Sequence, residues 1–219
     1  MLNFKQQLCA LALTVSLPLA AHADDDFWIA GRAGTQGLGL EATWRAVPYL
    51  DFRLGINQFS VDVDSTEAGI DYETEVDLSS IYATANFRVP LSPFRVSAGI
   101  VNNNNEGSLF APQQGSITVG NQTFDGNLVG NLRGKATFDD FAPYAGIGLD
   151  FRFANRVGLH FDAGVMFQGE ASLTLAADGT LATDATFQQE LESERQELED
   201  DLSDYELFPV VALAVSVNF

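Results

Sequence analysis

The sequence is short of positive charge and nearly free of cysteine. Eleven lysines and arginines stand against 30 aspartates and glutamates, for a formal charge of −19. A nucleic-acid binder needs clustered cations to displace phosphate counterions, so this balance argues against that class. The single cysteine, Cys9, allows no intrachain disulfide. No apolar run reaches the roughly 20 residues that a membrane-crossing helix requires. What is abundant points elsewhere. Hydrophobic residues make up 46% of the chain, with 17 Phe and 19 Gly, too apolar a mixture for a disordered protein. A length of 219 residues suits one domain.

Residues 1–23 read as a secretory signal peptide. Lys5 precedes an apolar stretch from Leu8 to Leu19, and Ala21-His22-Ala23 gives a small-x-small cleavage pattern before Asp24. Cleavage removes Cys9 and Lys5, leaving ten cations against 30 acids, a charge of −20 on residues 24–219.

Beyond Asp26 the dominant signal is alternation with period two, the mark of half-buried strands. In the last segment Leu207, Pro209, Val211, Leu213, Val215, Val217 and Phe219 share one face, opposite Phe208, Val210, Ala212, Ala214, Ser216 and Asn218. The segments from Val157, Phe141 and Leu50 repeat the pattern. Three connections are tight, at 46–48, 90–93 and 154–156. The others are long and polar, around 63–71, 109–135 and 177–204. Short turns on one side and long loops on the other are the asymmetry of an outer-membrane barrel. A last strand that ends on the turn side makes 38–46 run inward. An outward strand must then precede it, and 27–34 supplies one through a turn at 35–37. The expected fold is all-β: an eight-stranded antiparallel up-and-down transmembrane β-barrel over 24–219, with a short helix in the last outer loop.

A soluble barrel alternates too, with its apolar face inside. Here the polar face is crowded with Gly, Ala and Ser, and Lys135 is the one lysine left after cleavage. Trp44, Tyr49, Phe87, Phe94, Phe151, Phe153 and Phe219 cluster near the tight turns or the C-terminus, as an interfacial aromatic girdle does. With phrases such as Gly37-Leu38-Gly39-Leu40-Glu41 and Ala142-Pro143-Tyr144-Ala145-Gly146-Ile147-Gly148, the chain resembles the small outer-membrane barrels of Gram-negative bacteria, the OmpA/OmpX/OmpW-like group. That resemblance implies outer-membrane lipid as surroundings. It also implies a final strand, ending at Phe219, that the barrel-assembly machinery reads. It identifies no member with a defined activity.

Charge is sorted along the barrel axis. Arg45, Arg53, Arg88, Arg95 and Arg152 fall on the predicted lumen face near the tight turns, while Glu41, Asp51, Asp150, His160, Asp162 and Glu170 occupy the same face at various depths. Eight strands enclose only enough room for side chains, and buried charges in that space must pair. At the far end, 178–206 carries eleven acids and one base, Arg195. Within it 184–203 reads as a helix, its stripe of Phe187, Leu191, Leu198 and Leu202 laid over the barrel mouth, with a capping box at Thr186 and Gln189. Divalent cations are natural companions of such acidic loops, and Asp62–Glu67 adds carboxylates without a metal-loop spacing.

Catalytic signals are sparse. His160, the one histidine left after cleavage, lies two residues from Asp162, with no cysteine or clearly placed serine to serve as nucleophile. Gly37–Ala42 matches a dinucleotide-binding expression inside a strand, where it has no helix to open. Nothing calls for a cofactor or a dedicated metal site. The reading is a non-enzymatic barrel with a plugged lumen and exposed acidic loops, acting in structure or surface interaction. The alternatives are a narrow pore for small solutes and, third, a lipid-modifying enzyme centred on His160.

Overall fold

The computed structural model describes residues 26–218 apart from 68–69, 113–114 and 154–155. The signal-peptide reading and Phe219 lie outside the described residues. Strands β1 (Phe27–Gly34), β2 (Gly37–Val47), β3 (Leu50–Glu67), β4 (Ile70–Arg88) and β5 (Phe94–Asn103) follow one another up and down. Next come β6 (Glu106–Ala111), the hairpin β7 (Ser116–Val119) and β8 (Gln122–Asp125), a helical turn α1 (Gly126–Val129), and β9 (Leu132–Thr137). The chain ends with β10 (Phe141–Phe153), β11 (Val157–Phe167), β12 (Ser172–Ala177), helix α2 (Ala185–Leu202) and β13 (Leu207–Asn218).

Eight of these strands close a barrel in the ring order β1-β2-β3-β4-β5-β10-β11-β13, every neighbouring pair antiparallel. The closing pair runs from Trp28↔Asn218 to Gly34↔Ala212. Closure satisfies every edge, which hydrocarbon surroundings demand because an unpaired backbone group there costs several kcal/mol. The first hairpin follows the sequence reading, with Gly37 at φ +91 after Thr35 and Gln36.

Alternation decides which side faces lipid. Leu40, Trp44, Phe52, Leu54, Ile56, Ile81, Val96, Ile147, Phe161, Leu213 and Val215 are exposed, while the intervening polar residues are buried. That is a soluble protein turned inside out. Trp44, Tyr49, Phe87, Phe94, Phe151 and Phe153 all lie exposed at the short-turn end. Trp44 stacks on Phe52 at 6.0 Å, and Phe151 meets Phe161 edge-on at 6.4 Å.

The polarity then changes sides. The β3–β4 register runs without a slip from Leu50↔Phe87 to Glu67↔Ile70, so alternation of faces continues along both strands. On the outward row of β3, Phe52, Leu54 and Ile56 give way to Gln58, Ser60 and Asp62; inward, Arg53 and Asn57 give way to Phe59 and Val61. On β4 the outward row passes from Ile81 to Ser79, Asp77, Glu75 and Glu73, and the inward row from Ser80 to Leu78 and Val76. The crossover marks the upper limit of the apolar belt. It also corrects the expectation of a loop at 63–71, since both strands run on beyond the barrel.

The expected loop 109–135 is likewise folded. β6, β9 and β12 continue the walls of β5, β10 and β11 after short breaks, and pair on to β4 in the order β4-β6-β9-β12. The breaks are stitched by Asn103 N–H to Asp140 O at 2.7 Å, Asn104 N–H to Ser79 O at 2.9 Å, and Asp139 N–H to Gln168 O at 3.1 Å. Gly169 turns the chain at φ +74, a left-handed conformation that favours glycine.

Helix α2 starts at Asp184, whose carboxylate accepts from the Thr186 and Phe187 N–H groups at 2.9 and 3.0 Å. The cap is therefore Asp184 and not the box at Thr186: an aspartate at the true N-cap outcompetes a threonine already inside the first turn. Phe187 and Leu191 are buried with Ala111, Ile117, Val119 and Val129, and Leu198 and Leu202 are half-buried. The helix thus packs on the β7–β8 hairpin and the strand extension, forming a small core of the outer module. The expected seat on the barrel rim is replaced because those strands, unforeseen from sequence, supply the apolar partners.

Candidate functional site

The barrel interior is filled by charge. Alternation brings Arg32 from β1, Glu41 from β2, Asp51 and Arg53 from β3, Arg88 from β4, Arg95 from β5, Asp150 from β10 and Asp162 from β11 to one space. Four guanidinium groups meet four carboxylates. Arg53 sits centrally, 3.2 Å from Glu41, 3.3 Å from Asp150, 3.6 Å from Asp51 and 3.9 Å from Asp162. Arg95 joins Asp150 at 3.3 Å and pairs closely with Asp162. Arg88 reaches Asp51 at 2.5 Å and Asp150 at 3.6 Å. Arg32 bridges Asp162 and Glu41 at 3.5 and 3.6 Å, with its guanidinium 5.2 Å from the Tyr82 ring centre.

Neutral groups add hydrogen bonds around the ions. Tyr82 donates to Glu41 at 2.7 Å, and Arg95 donates to Asn86 at 3.2 Å and Ser97 at 2.9 Å. Asn57 donates to Ser80 at 3.2 Å and Gln36 at 3.4 Å. His160 lies between Asp150, 2.8 Å from Nδ1, and Ser216, 2.7 Å from Nε2. Glycine provides the width: Gly55 stands opposite Tyr82 and Gly148 opposite Arg95, and a Cβ at either would strike that partner's side chain. Large groups are housed by removing the side chain across the strand pair, which is how a narrow barrel fills without bursting. The remaining central cavity, lined by Arg32, Arg53, Tyr82, Tyr144 and Asp162 among others, holds about 20 Å³. That is room for one water molecule.

The expected lumen residues Glu41, Asp51, Arg53, Arg88, Arg95, Asp150, His160 and Asp162 converge here. Arg45 is half-buried below them. Two differ from expectation. Arg152 shares the row of Asp150 but lies exposed at the strand end, its guanidinium 5.3 Å over the buried Trp28 ring and apart from the ion network. Glu170 lies past the end of β11 in the connection to β12 and is exposed. His160 takes Asp150 as its partner and not Asp162, two positions along its own strand. Residues two apart on a strand stand side by side, whereas Asp150 is directly opposite His160 in the β10–β11 register. Sequence reading missed Arg32, although Trp28, Ala30 and Arg32 alternate on one face of β1; it missed Ser216 because a serine among alanines carries no charge signal.

Asp150, His160 and Ser216 have the connectivity of a nucleophilic triad. The surroundings argue against that chemistry. Ser216 is 1% exposed inside the closed lumen, and Asp150 is shared with three guanidinium groups instead of being reserved for the imidazole.

Above the belt, charges are exposed. Arg195 bridges Glu192 at 2.6 Å and Glu199 at 2.5 Å on α2, and the hydrogen bonds from Arg195 and Gln196 hold the Glu192 carboxyl down to about 2. Glu199 is lowered as well, first by accepting the Leu173 N–H at 2.9 Å, which fastens α2 to the edge of β12. Among the described residues no group of three or more His, Cys, Asp or Glu is arranged to hold a metal ion.

No protein-family model matches the sequence, and a search of curated proteins finds no match. Solved structures do match. The chain is similar to Acinetobacter baumannii CarO2 at 22% identity and TM-score 0.60, covering 89% of this chain and 98% of that one. It is similar to Acinetobacter baumannii CarO at 22% identity and TM-score 0.57, with the same coverage. By closure, by its apolar exterior and by this likeness, the chain has the fold of a small outer-membrane β-barrel.

Proposed function

We propose that the mature chain, released from residues 1–23, sits in the bacterial outer membrane as a non-enzymatic anchor. Its lumen is sealed and its folded acidic module stands outside for structural or surface contacts. The observation that carries this reading is the interior balance: four arginines and four carboxylates, mutually paired, leave about 20 Å³ unfilled. Moving an ion along this axis means separating buried partners, at about 3–5 kcal/mol for each pair broken one-sidedly. The aromatic belt meets lipid, the last strand addresses the assembly machinery, and the acids of 178–206 collect divalent cations diffusely.

The test is planar-bilayer conductance of the refolded mature protein, with folding verified by a heat-dependent gel shift. A folded barrel should give no discrete current steps. Regular steps that change selectivity in Arg53→Gln and Arg95→Gln would replace the anchor with the second reading, a narrow pore. One observation favours that reading: a recess of about 470 Å³ at the short-turn end has Arg88 and Asp150 of the network in its lining, beside Arg152 and the 91–94 turn.

A further inference from the structure

The outward face of the strand extension carries a two-signed pattern that the lumen reading does not use. The registers place Asp62, Glu75, Ser108, Lys135 and Thr174 in one row across β3, β4, β6, β9 and β12. The neighbouring row on β4, β6, β9 and β12 is Glu73, Phe110, Arg133 and Ala176. In both rows, acids occupy the β3–β4 bank, bases occupy β9, and β6 lies between with Ser108 or Phe110. Two strand spacings, roughly 10 Å, separate β4 from β9, and the bases of the rows pair elsewhere, Arg133 with Asp178 and Lys135 with Glu106. Among the described residues no ion pair engages Asp62, Glu73 or Glu75. The rows line a groove of about 700 Å³.

We propose that this groove binds a linear zwitterion of short-peptide type. Its ammonium sits on Asp62, Glu73 and Glu75, its carboxylate on Arg133 and Lys135, and its chain lies across Phe110. The acid bank is electrostatically crowded. Asp77, then Asp62, drives the Glu75 carboxyl above its ordinary value, and a bound ammonium relieves that repulsion. On the basic bank, Arg133 is held over the Phe110 ring at 5.3 Å. Its partner Asp178, at 3.1 Å, and the Lys135 partner Glu106, at 2.8 Å, are exposed. Exposed pairs of this kind exchange readily for a competing carboxylate. Three extended residues span roughly 10 Å, so a tripeptide with free termini matches the gap and a single amino acid does not. The groove requires only that the outer module be folded, and stands whether or not the lumen conducts.

The test is calorimetric titration of the refolded mature protein with triglycine, glycine, triglycine amide and N-acetyl-triglycine. Triglycine should bind saturably. Glycine and the two singly charged derivatives should bind at least about ten-fold more weakly, the change expected when one charged contact is lost. Glu75→Gln and Lys135→Gln should each weaken triglycine by a similar factor while leaving the heat-dependent gel shift intact. Equal binding of triglycine amide would overturn the proposal in favour of a simple cation patch. Equal binding of glycine, or no saturable heat from triglycine with a folded barrel, would overturn it outright.

Discussion

The imidazole of His160 bridges two strands on either side of its own, with Nδ1 2.8 Å from Asp150 on β10 and Nε2 2.7 Å from Ser216 on β13. One side chain thus ties three consecutive staves of the barrel together. Gly158, two residues earlier on the same face, leaves the space: a Cβ there would meet both Ser216 Oγ and the imidazole.

Removing that bridge should loosen the barrel without altering its shape. His160→Leu leaves the Ser216 hydroxyl and one Asp150 acceptor position without their partner in a closed interior, at a cost of about 1–3 kcal/mol. Ser216→Ala removes one hydrogen bond and should cost less, about 1 kcal/mol. Urea midpoints of the refolded proteins, read by the gel shift, check the order. If His160→Leu proved as stable as the parent, the imidazole would be a passive filler.

Glycines on opposite faces should respond oppositely to a methyl group. Gly148 stands opposite Arg95 on the neighbouring strand, and a Cβ there requires the guanidinium to leave its place against Asp162, so Gly148→Ala should destabilise by about 1–3 kcal/mol. Gly31 has open space around its Cβ, and Gly31→Ala should stabilise by about 0.5–1 kcal/mol through chain entropy alone. Paired unfolding curves distinguish the two; a loss at Gly31 equal to that at Gly148 would refute the packing argument.

The barrel was legible because alternation is a strong local signal. Leu213, Val215 and Val217 against Ala212, Ala214 and Ser216 specify a face without knowledge of any neighbour. The outer module was not legible for the same reason in reverse. Above Gln58 and Ser79 the alternation persists while its polarity swaps, so a reader expecting apolar residues outward sees a polar loop at 63–71. The lumen partners were partly legible. Arg53 and Asp162 declare themselves by charge, but pairing Asp150 with His160 depends on the β10–β11 register, and Arg152 and Glu170 depend on where the strands end.

At the start of α2 the capping assignment makes opposite forecasts for two neighbours. Asp184→Ala removes the acceptor for two backbone N–H groups and should cost the outer module about 0.5–2 kcal/mol. Thr186→Ala, inside the first turn, should be near neutral or slightly favourable. Limited proteolysis of folded barrels, following cleavage in 178–206, reads the effect locally. Equal cleavage of the two variants would restore the capping box at Thr186.

Acid should unfasten α2 before it unfolds the barrel. Glu192 is held at about 2 against an ordinary 4.5 by its bonds to Arg195 and Gln196. Glu199 is lowered by the Leu173 N–H and then by Arg195. A carboxyl depressed in the folded state binds its proton more readily when unfolded, so its contribution is fully present above the ordinary value. That contribution is lost as pH falls toward 2. The barrel is held by a closed ring of backbone hydrogen bonds, which acid does not titrate, so the barrel outlasts the helix. The 222 nm ellipticity of the refolded protein should therefore decline between about pH 4.5 and 2 while the heat-dependent gel shift persists. Arg195→Gln should move that decline upward in pH, because both carboxyls lose the guanidinium that holds them charged. A helix signal unchanged to pH 2, or one lost together with the gel shift, would show that α2 is held by its apolar core of Phe187 and Leu191 and not by these ions.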